Sequence, residues 1–341
     1  MPEQGRRTRV RRLVLSRRRS GHKLQNYAVL AAYSLLSCGY AAAQSVDYEL
    51  ATRLPPLTSN ATRPDAVYAI ATQRDRIGRI VVPVIINGQG PFHFMLDTGA
   101  TRTALAFTLT QRLGLHIDAD AQVSVIGVTG SAAVGTVLID RLTSGALEMA
   151  GSRFPVLSGP VLEGLDGILG MDGLNNKRLM ANFVLDQLVI SESRNRRTAF
   201  GRSVIPVELL SDRLLLVVGR VGQIKTRIVI DTGGTHTLGN RALYDALIHG
   251  NAIHGWEFAT SVTDVIDSSQ AGTVRSVPPL RLGQSVVNNV KVTFGDFRVF
   301  HAWKLETEPA LLLGMDVIGT LAELTIDYHR KQLEVMPRNP G

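Results

Sequence analysis

Phe94-Met95-Leu96-Asp97-Thr98-Gly99-Ala100-Thr101 returns in the second half of the chain as Ile228-Val229-Ile230-Asp231-Thr232-Gly233-Gly234-Thr235. Each copy is three apolar residues, Asp-Thr-Gly, a small residue and a threonine. A lone Asp-Thr-Gly arises by chance in roughly one chain in twenty of this length. Two in the same context read as a duplication. The segments downstream of the two copies also correspond. A short helix is expected from Ala106 to Leu113, stopped at Gly114, and another from Arg241 to His249, stopped at Gly250. Glycine ends helices because it takes the left-handed conformation cheaply. Gly-Thr-Val then recurs at 135–137 and 272–274, and an apolar run ends in Gly-Met-Asp at 170–172 and 314–316.

Around these landmarks the pattern is short β-branched runs separated by turn residues. Ile80 to Ile86 and Phe92 to Leu96 flank Asn87-Gly88, a two-residue hairpin signal. The expected fold is all-β: two similar lobes related by a pseudo-two-fold axis, with a few short helices. Residues 76–192 form the first lobe and 205–337 the second. The polar stretch 193–204, with Arg194, Arg196 and Arg197, links them, and 44–75 is a linker or irregular arm.

The 341 residues are 45% apolar and 19% charged, enough for a buried core and unlike a disordered polyelectrolyte. The net charge of +8 suggests a nucleic-acid partner until it is located. Residues 1–26 carry nine basic side chains against Glu3, so the rest of the chain is neutral and no nucleic-acid surface is expected. Uncharged residues 27–40 and Ala41-Ala42-Ala43 come next, so 1–43 reads as an export signal cut after Ala43, or as an N-terminal anchor. As an anchor, either residues 27–43 span a membrane or Cys38, the only cysteine, is lipidated. Each reading exports the remainder to the periplasm or beyond, and one cysteine leaves no internal disulfide.

The chemistry comes from the doubled acid. An apolar strand running into Asp sets the carboxylate at the end of a buried strand, and glycine permits a sharp turn beside it. If the lobes face each other, Asp97 and Asp231 meet. Two carboxylates that close share a proton. The charged member then serves as general base toward a water, while the protonated one donates to a peptide carbonyl. The pair titrates as a unit.

These motifs resemble the retropepsin-like aspartic proteases, specifically the bacterial exported members with two copies in one chain. Leu96-Asp97-Thr98-Gly99-Ala100 with Ile168-Leu169-Gly170, and Ile230-Asp231-Thr232-Gly233 with Leu312-Leu313-Gly314, match the family pattern over about residues 78–336. The resemblance implies that Asp97 and Asp231 are catalytic. It implies that Thr98 and Thr232, beside Gly99 and Gly233, brace the pair. It puts a substrate-covering flap at Gly127, Val128, Thr129 and Gly130. The second lobe offers the more polar Val265 to Gln270, with Asp267 and Ser268, and Gly234 replaces the usual Ala or Ser.

Other acids and histidines have plainer readings. Asp172 and Asp316 are expected to cap the helix after each glycine, and Asp166 to be a turn residue. His93 and His236 are neighbours of the motifs. His249 and His254 lack partners at ligand spacing, so no metal and no cofactor are expected. The reading is an exported aspartic endopeptidase, a monomer with an internal pseudo-dimer, holding an extended polypeptide substrate between its lobes. Membrane contact is expected only through the N-terminal anchor. The alternatives are a non-catalytic peptide-binding or scaffold protein with the same fold, and a single active lobe that pairs with another chain.

Overall fold

A computed structural model describes residues 27–36, 68–71, 73–74, 78–174, 177–193, 201–210, 213–253 and 257–338. Among the described residues the chain is mainly β, in three sheets. One lobe is built on a nine-stranded sheet and the other on an eleven-stranded sheet, and a six-stranded sheet joins them.

The hairpin over Asn87-Gly88 forms as its sequence dictates. Asn87 and Gly88 both have positive φ (49° and 79°), as a type I′ turn requires. It pairs Ile80–Ile86 with Gln89–Leu96, which carries the chain into Asp97. Strand Gly167–Leu169 lies parallel to Gln89–Leu96, with Leu169 opposite Leu96, and antiparallel to Ala104–Ala106. The second lobe repeats this arrangement. Ala310–Leu313 runs parallel to Ile224–Ile230, with Leu313 opposite Ile230, and antiparallel to Leu238–Gly239. The apolar-Gly runs thus support the strands that end in the two aspartates. They need apolar side chains because they are buried on both faces.

In the joining sheet, Lys177–Asn182 of the first repeat pairs antiparallel with Leu321–Asp327 of the second. Two pieces of the stretch read as an arm, 68–71 and 73–74, are strands. Tyr68–Ala71 adds an edge to this sheet beside Gln187–Glu192, and Gln73–Arg74 pairs with Ile80–Ile86. One large apolar core runs beneath both lobes, and two smaller clusters flank the cleft between them.

Three local expectations need correcting. Helix Phe107–Arg112 does end before a left-handed glycine, Gly114 (φ 62°). Helix Arg241–His249, however, has Gly250 at φ −76°, and the left-handed residue is Asn251 (φ 48°), whose short polar side chain tolerates that region. Asp172 and Asp316 are not helix caps; those positions belong to Gly170 and Gly314. Both carboxylates reach back to the segment after Asp-Thr-Gly. Asp172 accepts from Thr103 N (3.0 Å) and Oγ1 (2.7 Å), and Asp316 from Thr237 N (3.0 Å) and Oγ1 (2.8 Å). Asp166 is more than a turn residue: it is buried, accepts from His93 N and pairs with Arg112 at 2.9 Å.

Cys38, Ala41 to Ala43, Arg194, Arg196, Arg197 and His254 lie outside the described residues. Residues 27–36, the start of the run read as a leader or span, form two short strands between the lobes. Among the described residues no helix is long and apolar enough to cross a membrane.

Candidate active site

Asp97 and Asp231 sit at the ends of equivalent strands, each anchored by its own amide to a neighbouring strand. Asp97 N donates to Leu169 O and Asp231 N to Leu313 O, both at 3.0 Å. Their carboxyl groups are fully buried, and each lies against the glycine of the other's Asp-Thr-Gly. Oδ1 of Asp97 accepts from Gly99 N (2.8 Å), and Oδ1 of Asp231 from Gly233 N (2.9 Å) and Gly234 N (3.2 Å). The Oδ2 atoms are buried and accept from no described donor.

The threonines lock the two turns together. Thr98 N donates to Thr232 Oγ1 (3.1 Å) and Thr232 N to Thr98 Oγ1 (3.0 Å). Each hydroxyl then donates across the seam, Thr98 to Ile230 O and Thr232 to Leu96 O, both at 2.8 Å. The glycines are required by space. A Cβ at Gly99 would lie 2.7 Å from Asp231 Oδ1, and one at Gly233 2.4 Å from Asp97 Cγ.

Burial sets the electrostatics. Desolvation pushes Asp97 up to about 6, against the opposing hydrogen bonds from Asp231, Gly99 and Ala100. Asp231 is pushed well above the usual carboxylate range by desolvation, then by the charge of Asp97. A carboxyl pair so placed holds one proton across a range where two isolated carboxylates would hold none.

The expected flap residues lie at two hairpin tips that meet. Gly127, Val128, Thr129 and Gly130 join Asp118–Ile126 to Ser131–Ser144, and Asp267 and Ser268 lie between Phe258–Asp264 and Ser269–Ser276. Asp264, which belongs to none of the sequence motifs, clasps them. Its Oδ2 accepts from Thr129 N and Oγ1 (both 3.0 Å) and Gly130 N (3.3 Å) in the first lobe. Its Oδ1 accepts from Ile266 N and Ser268 N (both 3.1 Å) in its own turn. Thr129 Oγ1 also reaches Ser268 O at 2.8 Å. The one sequence cue was an aspartate two residues before a turn amide, the setting of an Asx-turn.

Residues 27–36 run extended beneath the flaps. Tyr27–Val29 lies parallel to Ser124–Ile126, and Tyr33–Leu36 lies antiparallel to Ser261–Asp264. Leu30 N donates to Ile126 O (2.9 Å), Val29 N to Thr101 Oγ1 (3.0 Å) and Thr101 N to Val29 O (2.8 Å). Toward the second lobe, Thr235 Oγ1 reaches Tyr33 O (3.4 Å), and the Tyr33 hydroxyl donates to His236 O. Burial beside Asp231 raises the Tyr33 phenol well above its ordinary value, so it stays a donor.

The family model described as aspartyl protease matches residues 82–172 and again 217–317, together more than half of the chain. The chain belongs to the aspartyl protease family, in a retropepsin-like form with two lobes. No curated protein matches it.

Proposed function

We propose that the protein is an exported aspartic endopeptidase that cleaves extended polypeptides with the Asp97/Asp231 pair. The observation carrying this is the buried pair of carboxyls, each packed against the glycine of the other's motif, whose Oδ1 atoms are held by backbone amides and whose Oδ2 atoms accept from no described donor. The ionised member takes a proton from a water as that water bonds to the peptide carbon. The protonated member gives its proton to the carbonyl oxygen. Collapse of the tetrahedral diol then breaks the C–N bond, and the amine leaves with a proton returned from the pair. Fixed amide dipoles keep the carboxyls in place, so little reorganisation is needed during reaction. Thr98 and Thr232 hold the geometry, and the flap residues Gly127 to Gly130 with Asp267 and Ser268 cover the substrate.

Either Asp97→Asn or Asp231→Asn should lower peptide hydrolysis by about three orders of magnitude or more while circular dichroism stays unchanged. Full activity in either variant refutes the paired mechanism. Silence of the protein freed of residues 1–43 toward an unstructured peptide library from acid to neutral pH would replace catalysis by peptide binding. Export rests on the basic stretch Arg6 to Lys23 and the uncharged run after it. Fractionation of cells producing the full chain tests it.

A further inference from the structure

The cleft holds the chain's own residues 27–36 in the manner of a ligand. Thr101 and Thr235 are equivalent residues of the two repeats. Thr101 binds the backbone of Val29, and Thr235 binds the carbonyl of Tyr33. Ala31 lies midway between these anchors, at the seam of the lobes. A Cβ added at Gly99 would be 2.7 Å from Ala31 Cβ and equally 2.7 Å from Asp231 Oδ1, so Ala31 lies against the acid pair.

The side chains sort by the two-residue period of a strand. Ala28, Leu30 and Ala32 enter the apolar cluster of the first lobe with Met95, Val125 and Leu157. Val29, Ala31 and Tyr33 enter that of the second. Leu30 to Tyr33 are completely buried, and residues 27–36 contain no charge.

We propose that residues 27–36 are a tethered pseudosubstrate. While attached they keep the cleft filled, and their fit states the substrate class. That class is an extended, uncharged apolar segment with small residues over the acids, as at Ala31-Ala32, and larger apolar ones beside them, as at Leu30 and Tyr33. Cutting the leader anywhere beyond Leu36 and releasing it opens the cleft, so leader removal and activity are coupled. The substrate class rests on the hydrolytic function proposed for the acid pair; the occupancy does not.

The test uses the full chain of 341 residues. In the unaltered protein, the amides of residues 28–33 should be protected from hydrogen exchange; exchange at the rate of an open peptide overturns the proposal. Ala31→Arg cannot be seated against Gly99 and should eject the segment. In an Asp97→Asn background, which removes turnover, a fluorescein-labelled peptide of sequence Tyr27 to Leu36 should bind the Ala31→Arg chain about tenfold or more tighter than the chain with Ala31. Equal affinity overturns the proposal. The same peptide with arginine at its Ala31 position should lose binding, and retained binding refutes the substrate class. With Asp97 restored, Ala31→Arg should raise hydrolysis of a doubly labelled library of uncharged, apolar decapeptides by about tenfold or more. If binding behaves as expected but nothing is cut at any pH, the tethered occupant stands and the hydrolytic reading fails. If both chains cut at equal rates, hydrolysis stands and the tethered occupant fails.

Discussion

Asp97 and Asp231 occupy a place where burial penalises charge, and the repeat supplies two acids to it. Folding lifts the Asp97 carboxyl to about 6, so the folded protein keeps a proton that the unfolded chain has released. That contribution to stability is full below the ordinary carboxylate range, about 4, and is lost as pH rises through about 6. The melting temperature of Asp97→Asn relative to the parent should therefore climb between pH 4 and pH 7. A flat difference would show that the pair is not buried in solution. Thr98 is placed with equal economy. Thr98→Val keeps the shape but leaves Thr232 N without its acceptor and Ile230 O without the hydroxyl. Buried donors and acceptors left unpaired cost about 1–3 kcal/mol each. Urea denaturation should show a loss of about 2–4 kcal/mol for Thr98→Val, with Thr98→Ser close to the parent. Glycine at 99 and 233 was legible from the motif, but its reason was not: each faces the acid of the other lobe.

At the scale of elements, the two hairpin tips are clasped together because Asp264 receives donors from both. Asp264→Ala removes acceptors for the Thr129, Gly130, Ile266 and Ser268 amides together. It should raise KM for a peptide substrate more than it lowers kcat, and speed hydrogen exchange at 127–130 and 265–268. Unchanged exchange there would mean that the tips hold without it. The hairpins themselves were readable from their turn residues. Asp264 was not, because its Asx-turn points only to Ile266 and Ser268, whereas Thr129 and Gly130 come from a segment more than a hundred residues away. The same reason hid the true role of Asp172 and Asp316. A helix cap is a local inference, whereas their bonds to Thr103 and Thr237 depend on how the chain returns to its own motif.

Across the whole molecule, the joining sheet and the Thr98–Thr232 bonds tie the lobes together, and they should unfold as one unit. Leu179 is completely buried in that sheet, on the strand that pairs with Leu321–Asp327. Leu179→Ala should cost about 2–5 kcal/mol by opening a cavity. It should also lower hydrogen-exchange protection in both lobes, with one unfolding transition by two probes. Two separated transitions would show that the lobes fold independently.

By itself the sequence determined the duplication, the β character, the two acids and their supporting glycines and threonines. Those signals are local: a strand period, a turn dipeptide, a tripeptide repeated in register. The tertiary structure decided what faces what. It brought Asp97 to Asp231, set Asp264 between the two hairpin tips, and laid residues 27–36, the start of the uncharged run, as strands across the cleft. Composition reports how much an apolar segment gains by leaving water. Whether the lipid or the protein's own cleft receives it depends on backbone edges and pockets that exist only once both lobes have folded.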